Sequence, residues 1–317
     1  MPKTDAAEPR GLPCQAGASG ARPFAAYAWG VLAYNLAVIL WGAVVRATGS
    51  GAGCGDHWPL CNGAVTPLAP SVHTMIEFTH RVMSGLDVVL VTILVVWAFR
   101  AFSRGHAVRP AAALSGVFLI TEALIGAGLV LLKHVAQNAD AWWSSLHLIN
   151  TLALIACLAL TAWWAAGHKA AGPRGRASWM GGISLASLAL LGVSGAIAAL
   201  GDTIFPVHSL AEGLAQDFNP AANVFLRLRI WHPAMAATVG AWLVYYALST
   251  GTAGTVRRLA HLVLAVLAAQ VAAGVLNLLL LAPVWLQLPH LLLADLLWIA
   301  VVLMVAEASK AAPPFRR

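Results

Sequence analysis

Runs of about 20 apolar residues recur along this chain, and they limit its fold more than any other feature. They lie near residues 24–46, 72–99, 110–132, 143–166, 178–200, 229–249, 259–281 and 288–307. Each is long enough to cross a bilayer as a helix, which bonds all of its backbone polar groups internally. A chain that is 60% hydrophobic and only 10% charged is too apolar for a soluble globular domain of 317 residues. The predicted class is an all-α membrane protein with eight transmembrane helices.

The net charge of +7 is distributed for a membrane, not for nucleic acid. Lys3, Arg10 and Arg22 precede the first run, and Arg100, Arg104 and Arg109 follow the second. Lys169, Arg174 and Arg176 follow the fourth, Arg257 and Arg258 the sixth, and Lys310, Arg316 and Arg317 the eighth. These 14 of the 19 basic residues fall on one side, which the positive-inside rule makes cytoplasmic. Both termini are then inside, and the even-numbered helices run inward. Residues 1–23 and 308–317 read as cytoplasmic tails, the first of them disordered, and no cleavable signal is read. Cys14 in the tail and Cys157 in the fourth run read as free thiols.

Against this background one polar patch stands out: Ile76-Glu77-Phe78-Thr79-His80-Arg81, inside the second run. Charged groups in a bilayer cost several kcal/mol unless paired or solvated, so such a patch marks a membrane edge or a site. Histidines also stand near the starts of the fourth, sixth and eighth runs, at His147, His232 and His290. The halves of the chain match in order. Glu122-Ala-Leu-Ile-Gly126 corresponds to Gln270-Val-Ala-Ala-Gly274, and Glu-Phe-Thr-His80-Arg-Val-Met to Arg-Ile-Trp-His232-Pro-Ala-Met. The expected architecture is two pseudo-symmetric four-helix bundles, residues 24–166 and 177–307. The repeats are parallel and related by an axis along the membrane normal.

Within each half two histidines then sit on different helices at one depth. Two imidazoles on facing helices suit axial ligation of a haem iron, with apolar walls around the macrocycle. Arg46, Arg81, Arg227 and Arg229 are candidates for pairing with propionates. The bland alternative is a set of membrane-edge histidines. His57, His73, His106, His134, His168, His208 and His261 read simply as solvated. Glu77 lies one turn before His80, where it serves either as proton acceptor and charge stabiliser or as the ion-pair partner of Arg81. Asp87, Glu122 and Asp295 are carboxylates at membrane depth with no partner visible in the sequence. Gly126–Gly128 and Gly192–Gly195 read as close helix contacts. The exterior loop of about residues 47–71 carries Cys54 and Cys61, at a spacing and in a compartment that favour a disulfide over two free thiols.

Taken together, Thr-Gly-Ser-Gly, His57-Trp58-Pro59-Leu-Cys61-Asn62-Gly63, Glu77-Phe-Thr-His80-Arg81 and the four helix-start histidines resemble the heme A synthase family. The Cys pair resembles its bacterial form with a loop disulfide. The resemblance covers residues 24–307. It implies an oxidoreductase of a bacterial plasma membrane that converts heme O to heme A for haem-copper oxidases by oxidising the C8 methyl to a formyl group. By the same resemblance His80 and His147 hold the substrate haem in the N-terminal half. Glu77 is catalytic, and His232 and His290 hold a heme b cofactor in the C-terminal half. Heme O, membrane lipid, a heme O synthase and an electron acceptor are the implied partners. The chain departs from the family pattern at Pro233, where a basic residue is usual, and at Glu122, where Gln is common. The runner-up is a dihaem membrane cytochrome that relays electrons to or from a quinone. An eight-helix transporter, which would show no haem absorbance, is a third reading.

Overall fold

The computed structural model describes residues 18–68, 70–132, 140–170, 172, 175–219, 221 and 224–310. Ten α-helices are seen among them: α1 (Ala18–Ala47), α2 (Val72–Ala101), α3 (Val108–Leu131), α4 (Asp140–Ala165), α5 (Gly175–Ile204), α6 (Leu210–Asp217), α7 (Val224–Arg229), α8 (Trp231–Thr250), α9 (Gly254–Leu279) and α10 (Val284–Ala308). There is also a short 3-10 turn at Ser50–Ala52. Seven of the helices are long and apolar enough to cross a membrane. The run expected over 229–249 is α8, which is helical over 20 residues but falls outside that group. Its ends carry Trp231, His232 and Pro233 on one side and Ser249 and Thr250 on the other, which dilutes its apolar middle.

Helix ends fall outside several expected bounds. α1 begins at Ala18, so the described part of the expected disordered tail is helical up to and beyond Pro23, while residues 1–17 and 311–317 lie outside the described residues. The same holds for Cys14 and His134. α10 begins before the Leu-Pro-His290 segment and carries Pro289 within it. Pro233 sits in the first turn of α8, where a missing N–H removes no intrahelical bond. The segment between α5 and α8, which falls between two of the apolar runs, contains α6 and α7. Ser209 caps α6 by accepting from Glu212 N at 3.1 Å.

Polar side chains fasten the helices where apolar packing alone leaves their register open. Tyr27, Tyr34 and Trp41 recur at heptad intervals on α1 and donate to Leu90 O, Met83 O and Ile76 O of antiparallel α2 at 2.9, 3.1 and 3.0 Å. Trp242 Nε1 of α8 donates to Ser184 Oγ of α5 at 2.9 Å, and Trp298 Nε1 of α10 to Leu152 O of α4 at 2.8 Å. α4 and α10 are the most buried spans. α4 packs on α1, α3, α5 and α10, and α10 on α1, α4, α5 and α9.

Contacts at the two ends fix which termini lie together. Arg46 at the end of α1 reaches Thr203 near the end of α5 and Gln287 at the start of α10, at 3.3 and 3.2 Å. At the opposite end Glu307 of α10 accepts from Trp163 Nε1 of α4 at 2.7 Å and meets His168 Nδ1 at 2.9 Å. His168 also stacks on Trp163 at 3.7 Å, so it is a packed residue and not the solvated one expected.

Candidate functional site

The loop between α1 and α2 is folded onto the start of α2. Cys54 and Cys61 form a disulfide with Cα atoms 4.4 Å apart. Both cysteines are buried although the loop tip around Trp58 and Leu60 is exposed. Gly53 lies so close to α2 that a Cβ there would stand 2.5 Å from His73 O. Thr74 Oγ1 donates to Gly53 O at 2.9 Å. The Glu77 carboxylate, in a residue only 3% exposed, completes the latch. Its Oε2 accepts from Cys54 N at 2.7 Å, and its Oε1 accepts from Arg81 Nη2 at 2.5 Å. Arg81 Nη1 donates onward to His57 O and Leu60 O at 2.5 and 2.7 Å. Both oxygens of Glu77 are thus engaged by the loop and by Arg81, and the ion pair that spacing allowed is formed.

The four histidines share one local environment. His80, His147 and His290 stand about two turns inside α2, α4 and α10, and His232 stands in the first turn of α8. Each ring rests against a glycine on a neighbouring helix. A Cβ at Gly42 would lie 3.1 Å from His80, at Gly195 2.9 Å from His232, at Gly274 3.1 Å from His290, and at Gly126 4.0 Å from His147. Gly128 and Gly192 likewise give way to Trp143 and Leu148, so the glycine clusters are close contacts as expected. His80 is within electrostatic reach of His147 and Glu122, and His290 of His232, which groups the rings as one pair per half of the chain.

Two rings have a polar group at Nδ1. Ser194 Oγ lies 2.9 Å from His232 Nδ1 in a hydrogen bond, and Glu122 Oε1 lies 2.8 Å from His147 Nδ1 at ion-pair distance without hydrogen-bond geometry. Nε2 of each is left without a hydrogen bond among the described residues. His80 Nδ1, His147 Nδ1 and His290 Nδ1 are buried and make no hydrogen bond among the described residues, His147 Nδ1 having only the ionic contact with Glu122. No group of three or more His, Cys, Asp or Glu is placed to hold a bare metal ion among the described residues.

The family model for the cytochrome oxidase assembly proteins COX15-CtaA matches residues 25–302. The chain belongs to that family. It is 47% identical over 295 residues to a protein of Thermus thermophilus named protoheme IX farnesyltransferase, a match that takes in 90% of this chain and 48% of that protein. The chain thus spans about half the length of that relative. It is also 42% identical over 104 residues to the heme A synthase of an Exiguobacterium species, about a third of either chain at 33%. Against the heme A synthase of Bacillus mycoides it is 40% identical over 124 residues, 39% of this chain and 40% of that one.

Within this family member the arginines are not equivalent. Arg81 is committed to Glu77, and Arg229 pairs with Asp202 at 2.8 Å and Asp217 at 2.7 Å. Among the described residues Arg46 makes its side-chain hydrogen bonds to the neutral groups of Thr203 and Gln287, with Asp202 within electrostatic reach. The side chain of Arg227 lies outside the described residues. The buried carboxylates separate too. Asp87 Oδ2 accepts from Asn35 Nδ2 of α1 at 2.6 Å, whereas Asp295 Oδ2 is buried with no hydrogen-bond partner among the described residues. Sequence reasoning missed the role of Glu122 at His147 and Gly42 opposite His80, and it named Gly195 as a close helix contact without its partner His232. The signal for the glycines is the repeat itself, since Gly126 and Gly274 already stand at matched positions.

Proposed function

We propose that the chain is a heme A synthase, an oxidoreductase that turns the C8 methyl of heme O into a formyl group to give heme A. The observation that carries this reading is the set of four half-buried imidazoles, each against a glycine and grouped in two pairs, in a family of cytochrome oxidase assembly proteins. The Exiguobacterium and Bacillus relatives named heme A synthase support it. We read the fold as eight spans, α8 included, in two pseudo-symmetric four-helix bundles covering residues 24–166 and 177–307.

The residues fit haem. Glycine contacts leave each ring a slot that a Cβ would narrow, and the contacts behind His147 and His232 leave Nε2 to coordinate. His80 and His147 hold the substrate haem. His232 and His290 hold heme b, which supplies one-electron relay chemistry when bound. Arg46 pairs with a propionate, its guanidinium making no carboxylate ion pair within 4 Å among the described residues. Oxidation of the methyl takes an oxygen atom from water and releases protons and electrons. The Glu77 carboxylate is the proton acceptor, and the electrons pass to an external acceptor. A heme O synthase is the partner that supplies substrate, a reading supported by the farnesyltransferase name of the Thermus relative and its length beyond the match.

Pigment extraction from the purified chain tests the function. Heme O or heme A beside heme b is the expected result. Heme b alone would leave the electron-relay reading, and no haem at all would remove both.

The glycine slots make a graded prediction. Gly195→Ala is expected to reduce haem retention most, since its Cβ falls 2.9 Å from His232 Cε1. Gly42→Ala and Gly274→Ala, at 3.1 Å, should act less, and Gly126→Ala, at 4.0 Å, least. Haem-to-protein ratios of the four variants measure this. Equal ratios would contradict the slot argument.

Orientation follows from the basic residues, with both termini in the cytoplasm and the disulfide loop outside a bacterial plasma membrane. Reporter fusions after Arg104 and Arg176 should read cytoplasmic, and those after Gly63 and Asn219 exterior. An exterior Arg104 would invert the assignment.

A further inference from the structure

The two halves carry matched helix pairs that differ in the groups around the histidine. In the first half α3 presents Glu122 to α4. Its Oε1 lies 2.8 Å from His147 Nδ1, and its Oε2 accepts from Asn150 Nδ2 at 2.5 Å. Thr151 Oγ1 also donates to Oε1. Asn150 is itself fixed, donating to Phe118 O at 2.8 Å and accepting from Thr121 Oγ1 at 2.6 Å. In the second half α9 presents Gln270 to α10 with its Nε2 3.5 Å from His290 Nε2 and not at Nδ1, and Gln270 Oε1 has no partner among the described residues. The positions three and four residues after His290 are Leu293 and Ala294, where the first half has Asn150 and Thr151. A donor-lined carboxylate cradle is therefore built behind one histidine and not behind its counterpart.

We propose that Glu122 is the positioning residue of the first-half haem site. It holds His147 with Nε2 toward the iron and makes that imidazole the stronger donor of the two halves. A carboxylate behind a metal-ligating imidazole fixes its tautomer and raises its basicity, which favours the ferric state. Haem in the first half is then easier to oxidise than haem in the second. The asymmetry directs electrons from the haem on His80 and His147 toward the haem on His232 and His290. Gln270 donates or accepts without a charge and lacks the flanking donors, so it does not do this for His290.

This inference rests on the haem reading of the four histidines. It is tested by redox titration of the purified, haem-loaded full chain, followed in the haem absorption bands. Glu122→Gln is expected to move the lower-potential transition upward by at least tenfold in the oxidised-to-reduced ratio at fixed potential, about 59 mV for one electron, and to leave the other in place. Gln270→Glu is expected to move the upper transition downward. Retained haem with neither transition moved overturns the proposal, as does a Glu122→Gln variant that only lowers haem content while Gln270→Glu shifts nothing. If Glu122→Gln loses its haem, a downward shift in Gln270→Glu supports the proposal. Failure of the haem reading looks different: the wild-type chain then shows no haem bands before any variant is made.

Discussion

Glu77→Gln is expected to lower heme A formation by about a hundred- to ten-thousand-fold, the range a positioned general base contributes. The substitution keeps the shape of the side chain and removes its charge. It also touches structure, because Glu77 joins the disulfide loop to α2 through Cys54 N and Arg81. Removing one partner of a buried ion pair costs about 3–5 kcal/mol, so a purely structural role would release the loop. The two effects are read separately. Normal haem loading with an intact Cys54–Cys61 linkage, and with heme O or a partly oxidised haem accumulating, supports the catalytic role. Loss of first-half haem together with a proteolytically exposed loop assigns Glu77 to the latch. Unchanged heme A formation rules the catalytic role out.

His232→Ala and His290→Ala are each expected to remove the second-half haem, cutting haem content by about half and abolishing one low-spin bis-imidazole spectrum. The fold should survive either change, because α8 stays tied to α5 through Trp242 and Ser184, and α10 to α4 through Trp298 and Leu152. A circular dichroism spectrum like that of the unaltered chain would establish this. The first-half haem should remain, since His80 and His147 belong to the other pair of rings. Full haem content in both variants would contradict the assignment of His232 and His290.

The pattern of apolar runs determined the all-helical class, because a bilayer leaves no other way to bond so long an apolar backbone. The order of histidines in two halves marked the candidate site residues, and the Cys pair in the loop after the first run marked the disulfide. Local spacing also showed the Glu77–Arg81 pair, since residues four apart on a helix are neighbours. What spacing along one helix does not carry is contact between helices. Glu77 bonds the backbone of Cys54, Asp87 finds Asn35, Glu122 stands behind His147, and each histidine meets its glycine only once helices distant in sequence are packed together. The arginines show the same limit. All four looked alike as cations near the outer surface, but the fold brings Asp202 and Asp217 into ion pairs with Arg229 and gives Arg46 hydrogen bonds to the neutral Thr203 and Gln287. Sequence determined which residues can be charged, apolar or ligating. Only tertiary packing decided which of those charges meet, because the cost of burying a polar group is set by the partner that the fold supplies.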